Sequence, residues 1–289
     1  MKLKALTINS FAKSNEGGNP AGVVLKADAL SENDMKKIAG IIGFSETAFV
    51  MKSDLADFKI RFFTPNEEVN LCGHATIATF SALSYLGYLT PGKYSQETKA
   101  GILNVEVKED LSIMMVQNKP SYYEILDKKE IADSLNITTD DILEELPVQI
   151  VSTGLRDIIV PVKNMEIINS INPDFEKIAA LCGKYNTIGY HIFTLESLYG
   201  SMAHCRNLAP LYGIPEESAT GTSNGALSCY LFKYGVIDAD HVSHLVVEQG
   251  YSMNKPSEII VSLTTVANEI ALVKVGGVAL NLVEIEVEL

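Results

Sequence analysis

The sequence predicts an α+β protein made of two related halves, on three observations. Period-two alternation of apolar and polar residues recurs at both ends of the 289-residue chain, the signature of half-buried strands. Two segments, 73–89 (GHATIATFSALSYLGYL) and 221–236 (GTSNGALSCYLFKYGV), open with Gly and small polar residues and then stay apolar on nearly every side. A helix with no polar face belongs inside a protein. The two segments start 148 residues apart, about half the chain, so a series of strands, a surface helix and a buried helix comes twice.

In chain order, MKLKALTINSFAK at the start reads as a first strand, because Thr7, Asn9 and Ser10 break the apolar run a signal peptide would need. The spacing predicts a helix over 31–42. Ser31 is its N-cap with Asp34 three residues on, and Met35, Ile38, Ala39 and Ile42 form one stripe. Phe58, Ile60 and Phe62 alternate with Lys59 and Arg61 as a strand, as do Leu103, Val105 and Val107 with Asn104, Glu106 and Lys108. The first buried helix ends near Gly87 and the second near Gly235, with strands expected after each. Pro120, in QNKPSYYE (117–124), marks the boundary between domains 1–120 and 121–289. Amphipathic helices follow at 128–135 and 174–182, the latter started by Pro173 and Asp174 and stopped by Gly183. At the C-terminus Val283, Ile285, Val287 and Leu289 alternate with Glu284, Glu286 and Glu288, so one face packs and the other meets water.

Composition narrows the function. Lys and Arg number 23 against 36 Asp and Glu, a net charge of −13 that argues against nucleic acid or an anionic membrane as partner. Four scattered cysteines, Cys72, Cys182, Cys205 and Cys229, form neither a disulfide framework nor a zinc knuckle and fit a reducing compartment. The longest greasy stretch, 75–89, is too short and too often interrupted to span a membrane. The expectation is a soluble, cytoplasmic protein.

Chemistry is expected where the buried helices begin. TPNEEVNLCGHAT (64–76) joins a strand end, a turn and a helix start, where unpaired backbone N–H groups and the helix dipole attract an anion. Capping of a ligand-free helix by Asn70 and Thr76 is the equal alternative. PEESATGTSNGALSCYL (215–231) offers the same donors through Gly221, Thr222, Ser223 and Gly225, although Asn224-Gly225 is also a hairpin signal. In GFSETAFV (43–50), Glu46 leads into a β-prone apolar run and is a candidate proton donor or acceptor. His241 and His244, with His204 and Cys205, lack a recognised metal-ligand spacing and read as surface groups, so no metal site is expected. No GxGxxG, GxxxxGK[ST] or HExxH occurs, which removes the usual supports for nucleotide, flavin and zincin chemistry.

GNPAGVVL (18–25), SETAFV (45–50), RFFTPNEEVNLCGHATIAT (61–79), ESATGTSNGALSCYL (217–231) and EQGYSMNKPSEIIV (248–261) together resemble the PhzF family of phenazine-biosynthesis-like isomerases. The resemblance implies a diaminopimelate-epimerase-like fold of two pseudo-symmetric domains, each a β-barrel-like sheet around one central helix, with the active site in the cleft between them. It implies a cofactor-free isomerisation in which a glutamate, matched by Glu46, moves a proton between carbons of a small anionic substrate. His74 and Glu217 are the further catalytic candidates, and Asn19, Gly73, Ala75, Thr76, Gly221, Thr222 and Ser223 the candidate substrate-binding residues. Glu217 and Ser218 stand where the family commonly has Asp-Pro, which lengthens the second acid by one methylene and removes a proline. Family analogy also suggests a homodimer.

Two rival readings stand beside this one. Related epimerases and racemases use one cysteine from each half, but here the slots hold Cys72 and Thr220, and a hydroxyl is too weak an acid for that work. Cys72 then reads as a small core residue. The second rival is a non-catalytic binding or interaction protein on the same fold.

Overall fold

The computed structural model describes residues 2–289, which divide into two compact units, one running to Val116 and including Gly276–Leu289, the other Gln117–Val275. The expected boundary at Pro120 falls just inside the second unit. The last strand, Ala279–Glu288, belongs to the first, where it pairs antiparallel with Lys2–Ser10.

In the first unit Lys2–Ser10 pairs antiparallel with Asn19–Val24, which runs parallel to Thr47–Met51. That parallel pair needs a crossover, supplied by helix α1 (Glu32–Ile42). Ser31 and Asp34 close a reciprocal capping box at its start, Met35, Ile38 and Ala39 are buried, and Gly43 ends it at φ 76°. Thr47–Met51 continues antiparallel to Phe58–Phe63, which pairs with the short strand Glu68–Val69. The chain then enters helix α2 (Gly73–Tyr85), and Gly92–Thr98 returns parallel to Phe58–Phe63 before turning antiparallel into Gly101–Val107.

The second unit repeats this series of pairings. Gln149–Ser152 is antiparallel to Arg156–Pro161, which is parallel to Gly189–Thr194. That strand is antiparallel to Ala203–Ala209, which pairs with the short strand Ile214–Glu217. A buried helix follows, and Leu245–Gln249 comes back parallel to Ala203–Ala209, then antiparallel to Ser257–Val266. Its helices are α3 (Lys128–Leu135), α4 (Met165–Ser170), α5 (Phe175–Tyr185) and the central α6 (Gly221–Lys233). The internal duplication therefore holds strand by strand.

α2 and α6 have the same length, and each folds part of its hydroxyl set onto its own backbone. Thr79 Oγ1 donates to Ala75 O at 2.7 Å and Ser84 Oγ to Phe80 O at 2.8 Å, while Ser228 Oγ donates to Asn224 O at 2.9 Å. Buried Phe80 and Ile77 in α2 and Leu227 and Leu231 in α6 contribute roughly 2 kcal/mol each through the apolar surface they remove from water. In the second unit the sheet is covered on both faces. α6 packs on Val151, Ile159, Phe193 and Val247, and α3, α4 and α5 pack on Ile150, Ile158, Tyr190 and Leu208.

Two sequence expectations need correction. α5 does not stop at Gly183 but continues to Tyr185, where Asn186 at φ 52° caps it in the left-handed region that Asn tolerates. The C-terminal alternation also fails at Val283, which is 43% exposed. Asn281 at φ 61° coincides with a slipped register, Thr7 pairing Val283 but Asn9 pairing Leu280, so only the later part of the strand keeps the inward face.

Candidate active-site residues

In the first unit the start of α2 is left open. Its N-cap, Cys72, is extended and makes no side-chain cap, whereas α1, α3, α4 and α5 are capped by Ser31, Asp127, Asn164 and Asp174. The capping alternative therefore fails here: Thr76 Oγ1 turns inward, donating to Cys72 O at 2.8 Å and accepting from Gln96 Nε2 at 3.3 Å. The first intrahelical bond runs from Thr76 N to Cys72 O, so the N–H groups of Gly73, His74 and Ala75 have no acceptor within the helix. A Cβ placed on Gly73 would meet no atom within 4 Å, so the space beside it is open.

Glu46 ends the loop before Thr47–Met51, held by a bond from Gly22 N to its own carbonyl at 3.2 Å. Its Oε2 lies 3.3 Å from His74 Nε2, yet the pair is misaligned for a hydrogen bond and this buried oxygen accepts none. Cys72 Sγ lies against the same ring, 3.5 Å from His74 Nδ1 and 3.9 Å from Nε2. Ser10 Oγ donates to His74 O at 2.7 Å, which pins the first turn to the opening strand, and Asn19 is the register partner of Ser10. The structure thus brings Glu46, Gly73 and His74 together. Ala75 and Thr76 are fully buried.

In the second unit the N-cap Thr220 also lacks a side-chain cap, and Asn224 N reaches Thr220 O at 3.2 Å, which leaves the N–H groups of Gly221, Thr222 and Ser223 without an intrahelical acceptor. Here the surroundings are a continuous polar network. Thr220 Oγ1 donates to Glu217 Oε2, and Gln249 Nε2 donates to Glu217 O at 2.8 Å. Asn224 Nδ2 donates to Gln249 Oε1 at 2.8 Å, and its Oδ1 lies 3.1 Å from His191 Nε2. Asn207 Nδ2 lies 3.2 Å from both His191 Nδ1 and Ser223 Oγ, and Ser223 Oγ donates to Asp157 Oδ2 at 2.8 Å. An amide donor on Nδ1 fixes His191 as the tautomer with its proton on Nε2, which then donates to Asn224. Burial pushes the Asp157 carboxyl up to about 7 and the His191 imidazole down to about 4. Glu216 is held instead by Arg206, through two bonds of 2.9 Å.

Sequence reasoning missed Ser10, Asp157, His191, Asn207, Gln96 and Gln249. The available signal was a polar side chain at an inward position of an otherwise apolar strand, as with His191 in GYHIFT. The histidine reading needs correction too: His204 is buried and lies 3.0 Å from Glu248 Oε2, while His241 is exposed. Cys72 is buried, as expected of a core residue, and its sulfur also lies 3.5 Å from His74 Nδ1.

The class of protein follows from the fold. A hydroxyproline epimerase from Agrobacterium vitis superimposes with a TM-score of 0.59 at 14% identity over 99% of this chain and 93% of its own. A Bacillus anthracis phenazine biosynthesis protein of the PhzF family superimposes with a TM-score of 0.92 at 33% identity over the whole of both chains. The fold is diaminopimelate-epimerase-like. Residues 8–284 match the model for "phenazine biosynthesis-like protein", and the chain belongs to this PhzF family of isomerases. Isomerase YfhB of Bacillus subtilis is 36% identical over 94% of each chain. The trans-2,3-dihydro-3-hydroxyanthranilate isomerase of Pseudomonas chlororaphis is 26% identical over 93% of this chain and 94% of its own. Among the described residues no helix is long and apolar enough to cross a membrane.

Proposed function

We propose that the protein is a cofactor-independent isomerase in which Glu46 takes a proton from one carbon of a small, carboxylate-bearing, unsaturated cyclic acid and returns it to another. The electron pair left by the broken C–H bond delocalises into the neighbouring double bond, and the new C–H bond forms at its far end, so neither oxidant nor reductant is required. His74 lies beside the glutamate at the helix start, whose N–H groups suit the substrate carboxylate. Glu217 and the backbone of Gly221, Thr222 and Ser223 are assigned to positioning, as the family resemblance implies. The observation that carries the reading is the Glu46 Oε2, buried without a hydrogen bond, 3.3 Å from His74 at an uncapped helix start. A carboxylate oxygen left unsatisfied in this way keeps a lone pair available for a proton.

The two-thiol alternative finds less support, because the Thr220 hydroxyl is committed to Glu217. The test is turnover of a panel of unsaturated cyclic amino and hydroxy acids, including trans-2,3-dihydro-3-hydroxyanthranilate, by wild type and Glu46→Gln. The substitution is expected to lower kcat by about 10³-fold on any substrate the wild type converts, within the usual range for a general acid–base group. Undiminished kcat would contradict the assignment.

A further inference from the structure

We infer that Glu46, Cys72 and His74 form a binding site for a thiophilic divalent cation of the zinc type, and that this cation shuts off the proton-moving carboxylate. One donor atom from each lies within 4.8 Å of the others. His74 Nε2 is the common neighbour, 3.3 Å from Glu46 Oε2 and 3.9 Å from Cys72 Sγ. Tetrahedral zinc with bonds of about 2.0–2.3 Å separates its nitrogen, oxygen and sulfur ligands by roughly 3.3–3.7 Å. The nitrogen–oxygen separation already fits, and the sulfur, 3.9 Å from the nitrogen and within 4.8 Å of the oxygen, has only to swing closer to coordinate.

A second observation points to a ligand independently. Glu46 Oε2 is buried without a hydrogen bond, and a cation would satisfy it. The donors are placed by ordered elements: Cys72 and His74 by the first turn of α2, which Ser10 anchors, and Glu46 by the end of the loop before Thr47–Met51. One sulfur, one imidazole nitrogen and one carboxylate oxygen select zinc over magnesium or calcium, which prefer oxygen alone. Three protein ligands leave the fourth position for water or an anion. On binding, the Cys72 S–H proton goes to solvent, a metal–sulfur bond forms, and a metal–oxygen bond occupies the lone pair that Glu46 would use on substrate. Binding stands on the donor geometry alone; only its inhibitory effect rests on the proton-transfer reading.

Cobalt(II) is the probe, titrated into the metal-stripped full-length protein, because a thiolate–cobalt bond gives a near-ultraviolet charge-transfer band. The expected result is one saturable band per chain, displaced by zinc, lost in Cys72→Ser, and requiring about tenfold more metal in Glu46→Gln, an affinity loss of the size expected when a ligand environment is disturbed. No band at millimolar cobalt, or a band that persists in a folded Cys72→Ser variant, overturns the site. Should Cys72→Ser fail to fold, an unchanged zinc affinity in Glu46→Gln overturns it instead. Zinc that binds as expected but leaves turnover intact keeps the site and removes the proposed role of Glu46. Absence of binding, with Glu46→Gln inactive, does the reverse.

Discussion

The starts of α2 and α6 occupy the same place in the repeated pairing scheme, yet their surroundings are opposite in character. At α2 a carboxylate, an imidazole and a thiol are gathered, and Glu46 Oε2 accepts no hydrogen bond. At α6 a chain of side chains from Glu217 to Asp157 satisfies itself link by link. The corresponding inner contacts show the divergence. Thr76 meets Gln96 at 3.3 Å in the first unit, whereas Asn224 meets Gln249 at 2.8 Å in the second and also reaches His191. A duplicated scaffold has kept its geometry and divided its labour: one helix start retains reactive groups, and the other is fixed in place by hydrogen bonds.

The largest expected effect breaks the comparison on the reactive side. Glu46→Gln should cost about 10³ in kcat, close to 4 kcal/mol of transition-state stabilisation, while its melting temperature stays near that of wild type. Steady-state kinetics beside a thermal melt checks both.

An effect of similar size is expected at the other start, and it depends on pH. Folded Asp157 holds a proton up to about pH 7, whereas an unfolded aspartate releases it near 3.8, so its contribution to stability falls as pH rises between those values and stays low above them. His191 acts in the opposite sense. Unfolded, it takes up a proton below 6.5; folded, it stays neutral down to about 4, so stability is lost as pH falls through that window. The two nearly cancel in the wild type. Asp157→Asn removes only the first, and its stability relative to wild type should improve by about 4 kcal/mol between pH 4 and pH 8. Urea denaturation at a series of pH values measures this, and a pH-independent difference would contradict it.

The network itself gives the next contrast. Asn224→Ala should cost about 2–3 kcal/mol, because His191 Nε2 is left buried without a partner and Gln249 Oε1 loses one of its donors, while Thr76→Val should cost only about 1 kcal/mol. Equal losses in the melting curves would erase the asymmetry. The smallest effect concerns glycines. Gly225→Ala puts a Cβ 2.9 Å from Val275 Cγ2 and 3.2 Å from Thr153 Oγ1 and should cost about 1–3 kcal/mol, whereas Gly73→Ala meets nothing within 4 Å and should be nearly neutral for stability.

Much of this architecture was legible in the residues. The absence of a polar face in 73–89 and 221–236 marked both central helices, and Ser31 with Asp34 marked the start of α1. Glu46 and His74 were legible as candidates because motif spacing tied them to a known family. What stayed hidden depends on long-range pairing. Asp157, His191, Asn207 and Gln249 come from four different strands, and nothing local announces that they meet around Ser223 and Asn224. The same holds for Glu46 and Cys72, 26 positions apart in the chain and brought together only by the crossover through α1. The bulge at Asn281 was unreadable for another reason: one left-handed residue shifts the inward face without disturbing the alternation in sequence.

The central claim, that Glu46 and not a thiol carries the proton, is tested most directly by running the reaction in heavy water with wild type, Glu46→Gln, Cys72→Ser and Thr220→Val. Deuterium at the newly formed C–H bond of the product is read by mass spectrometry. With the captured proton exchanging with solvent on the Glu46 carboxyl before one is returned, the expected result is incorporation by wild type, Cys72→Ser and Thr220→Val, and its loss in Glu46→Gln. Incorporation at the wild-type rate by Glu46→Gln, or its disappearance in Cys72→Ser, would contradict the claim.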